Sequence, residues 1–152
     1  CALAREGVRT SPEIMIPLVG HVNELRVVEE RLRPLAERVM AAYPNLTHVG
    51  ITLRESLSAD ENAWSAVLRT TAEFHVSRRY DIRDIVDRVG SGDAFSAGLI
   101  YGLSRGNPPR ESLEFAVAAS CLKHSIPGDL PLLGVSEAMA LMKGSGTGRV
   151  QR

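Results

Sequence analysis

Apolar residues recur at three- and four-residue steps between Glu24 and Tyr43, at Leu25, Val28, Leu32, Leu35, Val39 and Met40. That period predicts an amphipathic helix laid on one face of a sheet, with Pro34 bending or splitting it because proline cannot donate to the preceding turn. The pattern then shifts to a β-rich run, Thr47 to Leu53, which reads as a buried strand. A polar loop from Arg54 to Asn62 follows, placed where open α/β sheets carry their ligands. Ala63 to Leu68 and Glu73 to Ser77 read as two more strands, antiparallel neighbours near the sheet edge. Small residues from Ala94 to Ser104 predict a helix closed by Gly106. Pro108 and Pro109 introduce the next, Arg110 to Lys123, with Leu113, Ala116, Val117, Ser120 and Cys121 as its packing face. Pro127-Gly128 marks a turn and Val135 to Lys143 a last helix, before a glycine-rich stretch from Gly144 to Arg152 that reads as a flexible tail.

One segment carries chemistry. Ile85 to Gly98 sets Gly90, Ser91, Gly92 and Asp93 between a short apolar run and a helical pattern. Two glycines allow a sharp turn whose N–H groups converge on an anion, and the helix start adds the positive end of its macrodipole. A carboxylate in that field is favoured in its ionised form, so Asp93 is placed to accept a hydroxyl proton as the oxygen attacks a phosphoryl group. Gly-x-Gly also occurs in ordinary tight turns, and an Asp at a helix start is often only a cap.

Composition narrows the partners. Eighteen basic and eighteen acidic residues balance, and 44% of the 152 residues are hydrophobic, enough for one core. Without a basic patch or an acidic tail, nucleic-acid and membrane-surface binding have no electrostatic support. Cys1 and Cys121 are too few for a disulfide framework and lack metal-ligand spacing, so a reducing, cytoplasmic setting is expected. No apolar stretch approaches the ~18 residues of a membrane span.

The run Asp87-Arg88-Val89-Gly90-Ser91-Gly92-Asp93 resembles the second signature of the ribokinase-like, or PfkB, carbohydrate kinases, roughly Asp-Thr-x-Gly-Ala-Gly-Asp. Arg88 and Ser91 depart from it without removing a backbone donor or the acid. Ile51 to Ser56, Asn62 to Ala66, Tyr80 to Gly90 and Cys121 to Asp129 look like the bacterial 2-keto-3-deoxygluconate kinases, for which Arg88 is normal. The likeness runs from about His48 to Met142. It implies a ribokinase-like three-layer α/β/α fold, Rossmann-like, with a sheet flanked by helices. Kinases of this family run to about twice this length, so the resemblance implies that residues 1–143 are the C-terminal part of a single kinase domain. The N-terminal half and its sugar-gripping lid would be missing. It further implies ATP and Mg²⁺ as cofactors, an anion hole from Gly90, Ser91 and Gly92, and Asp93 as general base.

Other residues leave two readings open. His124 could contact the nucleotide or bond the last carbonyls of its helix, and Arg54 could reach a phosphate or lie solvated. Asp87 could position a metal-bound water or fix its loop, and Arg88 could answer Asp87 or a phosphate. The Asn-x-x-Glu element that organises Mg²⁺ in many relatives is not reproduced by Asn23-Glu24 or Glu29-Glu30, so the metal ligands are unassigned. Trp64 and Phe95 read as core residues before adenine stackers. The leading expectation is ATP-dependent phosphorylation of a sugar acid, inactive in isolation. Its alternatives are a non-catalytic nucleotide-binding fragment, or a kinase for fructose, ribose or a nucleoside. An unfinished sheet edge would also favour a homo-oligomer.

Overall fold

The computed structural model describes residues 14–19 and 28–144. Five strands make one sheet: β1 (Ile14–Val19), β2 (His48–Ser56), β3 (Asn62–Thr70), β4 (Phe74–Val76) and β5 (Tyr80–Ile82). β1 runs parallel to β2, and every other pairing is antiparallel. β2 and β3 form a hairpin in register from His48↔Thr70 to Ser56↔Asn62, while β4 and β5 both pair with the far side of β3. The expected strand at Ala63 therefore lies inside the sheet. Neighbours on both sides satisfy its backbone, and all but two of its nine residues are buried.

Among the described residues four α-helices flank the sheet: α1 (Arg33–Ala42), α2 (Ser91–Ser104), α3 (Pro109–Lys123) and α4 (Val135–Lys143). One π-helical turn, Val28–Leu32, leads into α1, and Pro34 stands in the first turn of that helix. The single helix expected from Glu24 is thus divided where proline's missing N–H costs nothing, at a helix start. Asn23, Glu24 and Leu25 lie outside the described residues, as does the expected tail beyond Gly144.

The sheet has an apolar surface on each side. Val49, Ile51 and Val67 pack on Leu32, Ala36 and Leu46. On the other face Trp64, Ala66, Leu68, Tyr80 and Ile82 meet Phe95 and Leu99 of α2 and Leu113, Ala116 and Val117 of α3. Phe95 is 1% exposed, a burial that contributes about 1.5–3 kcal/mol. α4 adds Ala138 against Phe115, Ala119 and Leu122, so α3 is covered on two sides and its whole span from Ser112 to Lys123, Glu114 excepted, is buried. Helices thus lie on both faces of the sheet, the α/β/α layering that the ribokinase likeness implies.

α2 and α3 approach closely because glycine faces the contact. A Cβ at Gly98 would stand 2.9 Å from the Ala116 Cα, and one at Gly102 would stand 2.7 Å from the Ser112 hydroxyl. α2 therefore rests backbone to backbone on α3, and its first turn is held at the end of the sheet where β5 finishes.

Candidate functional site

Gly90 is the N-cap of α2, in the left-handed region at φ +76°. The helix starts at Ser91, three residues ahead of the expected Ala94. The turn is packed as well as bent, since a Cβ on Gly90 would lie 2.1 Å from the Asp129 carbonyl oxygen and 3.1 Å from its carboxylate Oδ1. Only glycine fits both the dihedral and the neighbour.

The first-turn amides are the site's donors. Ala94 N–H closes the helix on the Gly90 carbonyl at 2.9 Å, and Ser91 N–H reaches the Arg88 carbonyl at a long 3.5 Å. Among the described residues the amides of Gly90, Gly92 and Asp93 have no partner, as the geometry of a helix N-terminus demands. Ser91 is therefore the weakest of the expected donors. Its hydroxyl donates to Arg88 O at 3.0 Å, and its carbonyl accepts from the buried Ser120 hydroxyl at 2.7 Å, which ties the turn to α3. Asp93 is exposed in the first turn, on the solvent side of these donors.

Asp87 holds the turn from below. Its carboxylate accepts from Val89 N–H at 2.9 Å and from Gly128 N–H at 2.8 Å. These bonds hold its pKa below the ordinary carboxylate value, with the Lys123 ammonium acting in the same direction. Lys123 is fully buried and donates to the Ile126 carbonyl at 2.9 Å. Of the two readings for Asp87, the loop-fixing one matches the bonds present.

Arg88 bonds the neighbouring loop rather than Asp87. Its guanidinium donates to the carbonyls of Ser58, at 3.4 Å, and Ala59 in the β2–β3 loop. Ile85 N–H adds a bond to Asp60 O at 3.3 Å, so that loop is pinned to the segment entering the turn. The loop itself is shorter than expected, because β2 continues through Arg54, Glu55 and Ser56. Arg54 is a half-buried strand residue opposite Trp64, and its Nε is buried without a partner among the described residues.

His124 is 1% exposed, its ring packed inside rather than at the surface. Nδ1 lies 2.9 Å from the Ser120 carbonyl, the helix-end bond of one of its two readings, and the ring meets Trp64 edge-on at 5.2 Å. Burial pushes its pKa down. Its carbonyl accepts from Val86 N–H at 2.9 Å and Asp87 N–H at 3.2 Å, so its part is to seat the loop. Trp64 and Phe95 are core residues, as expected.

Asp129 is the residue that pattern reading did not single out. It lies 36 positions from Asp93 along the chain, and only the fold sets it against Gly90. The nearest local signal is the Pro127-Gly128 turn, with Gly128 at φ +81°. Among the described residues no three His, Cys, Asp or Glu side chains gather as a metal cage. No described helix is long and apolar enough to cross a membrane.

Comparison with known proteins gives this geometry its context. A 2-dehydro-3-deoxygluconokinase from Thermotoga maritima superposes with a TM-score of 0.74 at 42% identity, over 86% of this chain and 42% of that one. A 2-dehydro-3-deoxygalactonokinase from Haloferax volcanii is 32% identical over 65 residues, 43% of this chain and 20% of the relative. An E. coli protein described as a ribokinase II, solved with ATP and Mg²⁺, shares the fold at a TM-score of 0.60 and 17% identity, over 86% of this chain and 39% of its own. This chain thus spans less than half the length of each of these relatives. The pfkB family carbohydrate kinase profile matches residues 22–130, which contain the whole anion turn, and the chain belongs to that family.

Proposed function

We propose that this chain supplies the phosphoryl-transfer machinery of an ATP-dependent sugar-acid kinase, with 2-keto-3-deoxygluconate as the acceptor. The observation that carries the reading is the arrangement at the start of α2: unpartnered amides at Gly90, Gly92 and Asp93, with the Asp93 carboxylate in the same turn. Phosphoryl transfer asks a protein mainly for position and for donors aimed at the equatorial oxygens, and a helix N-terminus supplies both.

In this reading the sugar-acid hydroxyl loses its proton to Asp93 as its oxygen bonds to the γ-phosphorus. The bond from that phosphorus to the ADP oxygen breaks, and the amides of Gly90, Gly92 and Asp93 hold the charge on the moving group. The start of α2 suits a phosphoryl group because the amides of Gly90, Gly92 and Asp93 have no partner among the described residues, while Asp129 packs against the Gly90 side of the turn. Mg²⁺ would enter on the nucleotide, which needs few direct protein ligands. Asp87 and Arg88 support the turn without touching substrate. The choice of acceptor rests on likeness to the Thermotoga and Haloferax sugar-acid kinases.

Calorimetric titration with Mg-ATP tests the nucleotide part. Saturable heat that disappears in Gly92→Asp, which puts a carboxylate among the donors, supports the reading; a folded wild type that gives no saturable heat overturns it. In a complete enzyme that contains this chain, Asp93→Asn should keep nucleotide binding while phosphorylation of 2-keto-3-deoxygluconate falls by ~10²–10⁴, the range for a lost general base. Unchanged turnover would remove Asp93 from the mechanism.

A further inference from the structure

At the opposite end of the sheet from the anion turn lies an open cleft of about 540 Å³. Arg33, Arg69 and Arg110 line it together with Phe74, His75 and Glu73. β3 separates the two places: Asn62 begins it beside β5, and Thr70 ends it beside the cleft. Nine extended residues span about 30 Å, so one ligand of metabolite size cannot occupy both. We propose that this cleft is a second anion site, for a small molecule bearing a phosphoryl dianion.

Charge comes first. Three arginines, Arg33, Arg69 and Arg110, are among the residues that line the cleft. Its one lining acid, Glu73, stands 3.1 Å from Nε2 of His75, and the nearby Glu37 makes only a loose 3.9 Å approach to Arg69. Arg69 keeps its Nε buried with no hydrogen-bond partner among the described residues. The Arg33 guanidinium lies 4.5 Å over the ring of Phe74, another lining residue. Guanidinium forks of this kind match the paired oxygens of a phosphoryl group.

The backbone adds to the same field. α3 is 15 residues long and starts at the cleft with Pro108 and Pro109, which offer no capping side chain. Ser112 N–H bonds the Pro108 carbonyl at 2.9 Å, whereas the amides of Arg110 and Glu111 have no partner among the described residues. The cleft has room for a ligand larger than inorganic phosphate, with Phe74 offering an apolar wall to its carbon skeleton.

Titration of the ¹⁵N-labelled chain with glycerol 3-phosphate, against glycerol at matched ionic strength, reads the site directly. The expected result is saturable shifts at the Arg110 and Glu111 amides that persist in Gly92→Asp and weaken about tenfold in Arg110→Glu and in Arg69→Gln. Arg110 is exposed, so its variant keeps the test sound if Arg69→Gln unfolds. Shifts confined to Gly90–Asp93, shifts reproduced by glycerol, or binding indifferent to Arg110→Glu would each overturn the proposal. Mg-ATP binding at the turn is a separate measurement, so either site can fail without the other.

Discussion

Asp87 and Gly128, 41 residues apart in the chain, are joined by a 2.8 Å hydrogen bond from the glycine amide to the carboxylate. The bond links the segment entering the anion turn to the loop that brings Asp129 against Gly90. It favours the ionised acid, and its consequence for stability has a definite sign. The folded-state pKa lies below the ordinary 3.8, so the contribution is fully present above that value and is lost as pH falls through the lower one. Denaturant midpoints of wild type and Asp87→Asn should therefore differ at pH 6 and converge on acidification below the ordinary carboxylate range. A gap that stays constant down to the acid limit would show that Asp87 acts by shape alone.

Gly90 and Gly106 share nearly the same dihedral, φ +76° and +77°, yet differ in surroundings. Alanine at Gly106 meets open space and should cost only the left-handed penalty, about 1–2 kcal/mol. At Gly90 the same Cβ runs into the Asp129 carbonyl, so the loop must move as well. Thermal unfolding should show the larger loss for Gly90→Ala, with Mg-ATP heat abolished there and kept in Gly106→Ala. Equal melting shifts would mean that the loop yields freely.

Arg88→Ala should release the β2–β3 loop. Amide exchange at Ser58 to Glu61 is expected to accelerate, with β3 beyond Trp64 unchanged and Arg88→Lys intermediate, because one nitrogen, Nη2, makes both contacts and the shorter lysine chain carries its ammonium less far toward them. Exchange rates indifferent to the substitution would show that the hairpin carries the loop unaided.

Burial pushes the Cys121 thiol up to about 12, so its reactive thiolate is scarce at neutral pH. Iodoacetamide should leave the Cys121 peptide unmodified in the folded chain and alkylate it in denaturant, as read by mass spectrometry. Modification at similar rates in both states would show that α3 opens readily.

The parts legible in the sequence are those whose causes are local. Gly90, Gly92 and Asp93 dictate a turn and a helix start within four residues, and Pro34 and Pro109 mark helix starts by chemistry they carry themselves. Arg54 to Ser56 read as a loop because they are polar, but three cross-strand pairs with β3, the last of the nine along β2, hold them extended. Tyr80–Ile82 is too short to announce a strand and exists only because β3 has a free side beside Asn62 and Trp64. The placement of His124 turns on the same limit. Whether its ring faces solvent or Trp64 is decided by where β3 lies, which no spacing near His124 encodes.

The glycine seam between α2 and α3 has a kinetic meaning. Gly98 and Gly102 leave no layer of side chains on which the two helices could slide, and the Ser120–Ser91 bond pins the upper end. The Gly90–Asp93 turn is therefore mounted like an anvil, and α2 has little travel of its own to offer. If the proposed function holds, any closing stroke that brings an acceptor hydroxyl to Asp93 must be made by the acceptor and whatever carries it, moving toward a fixed turn.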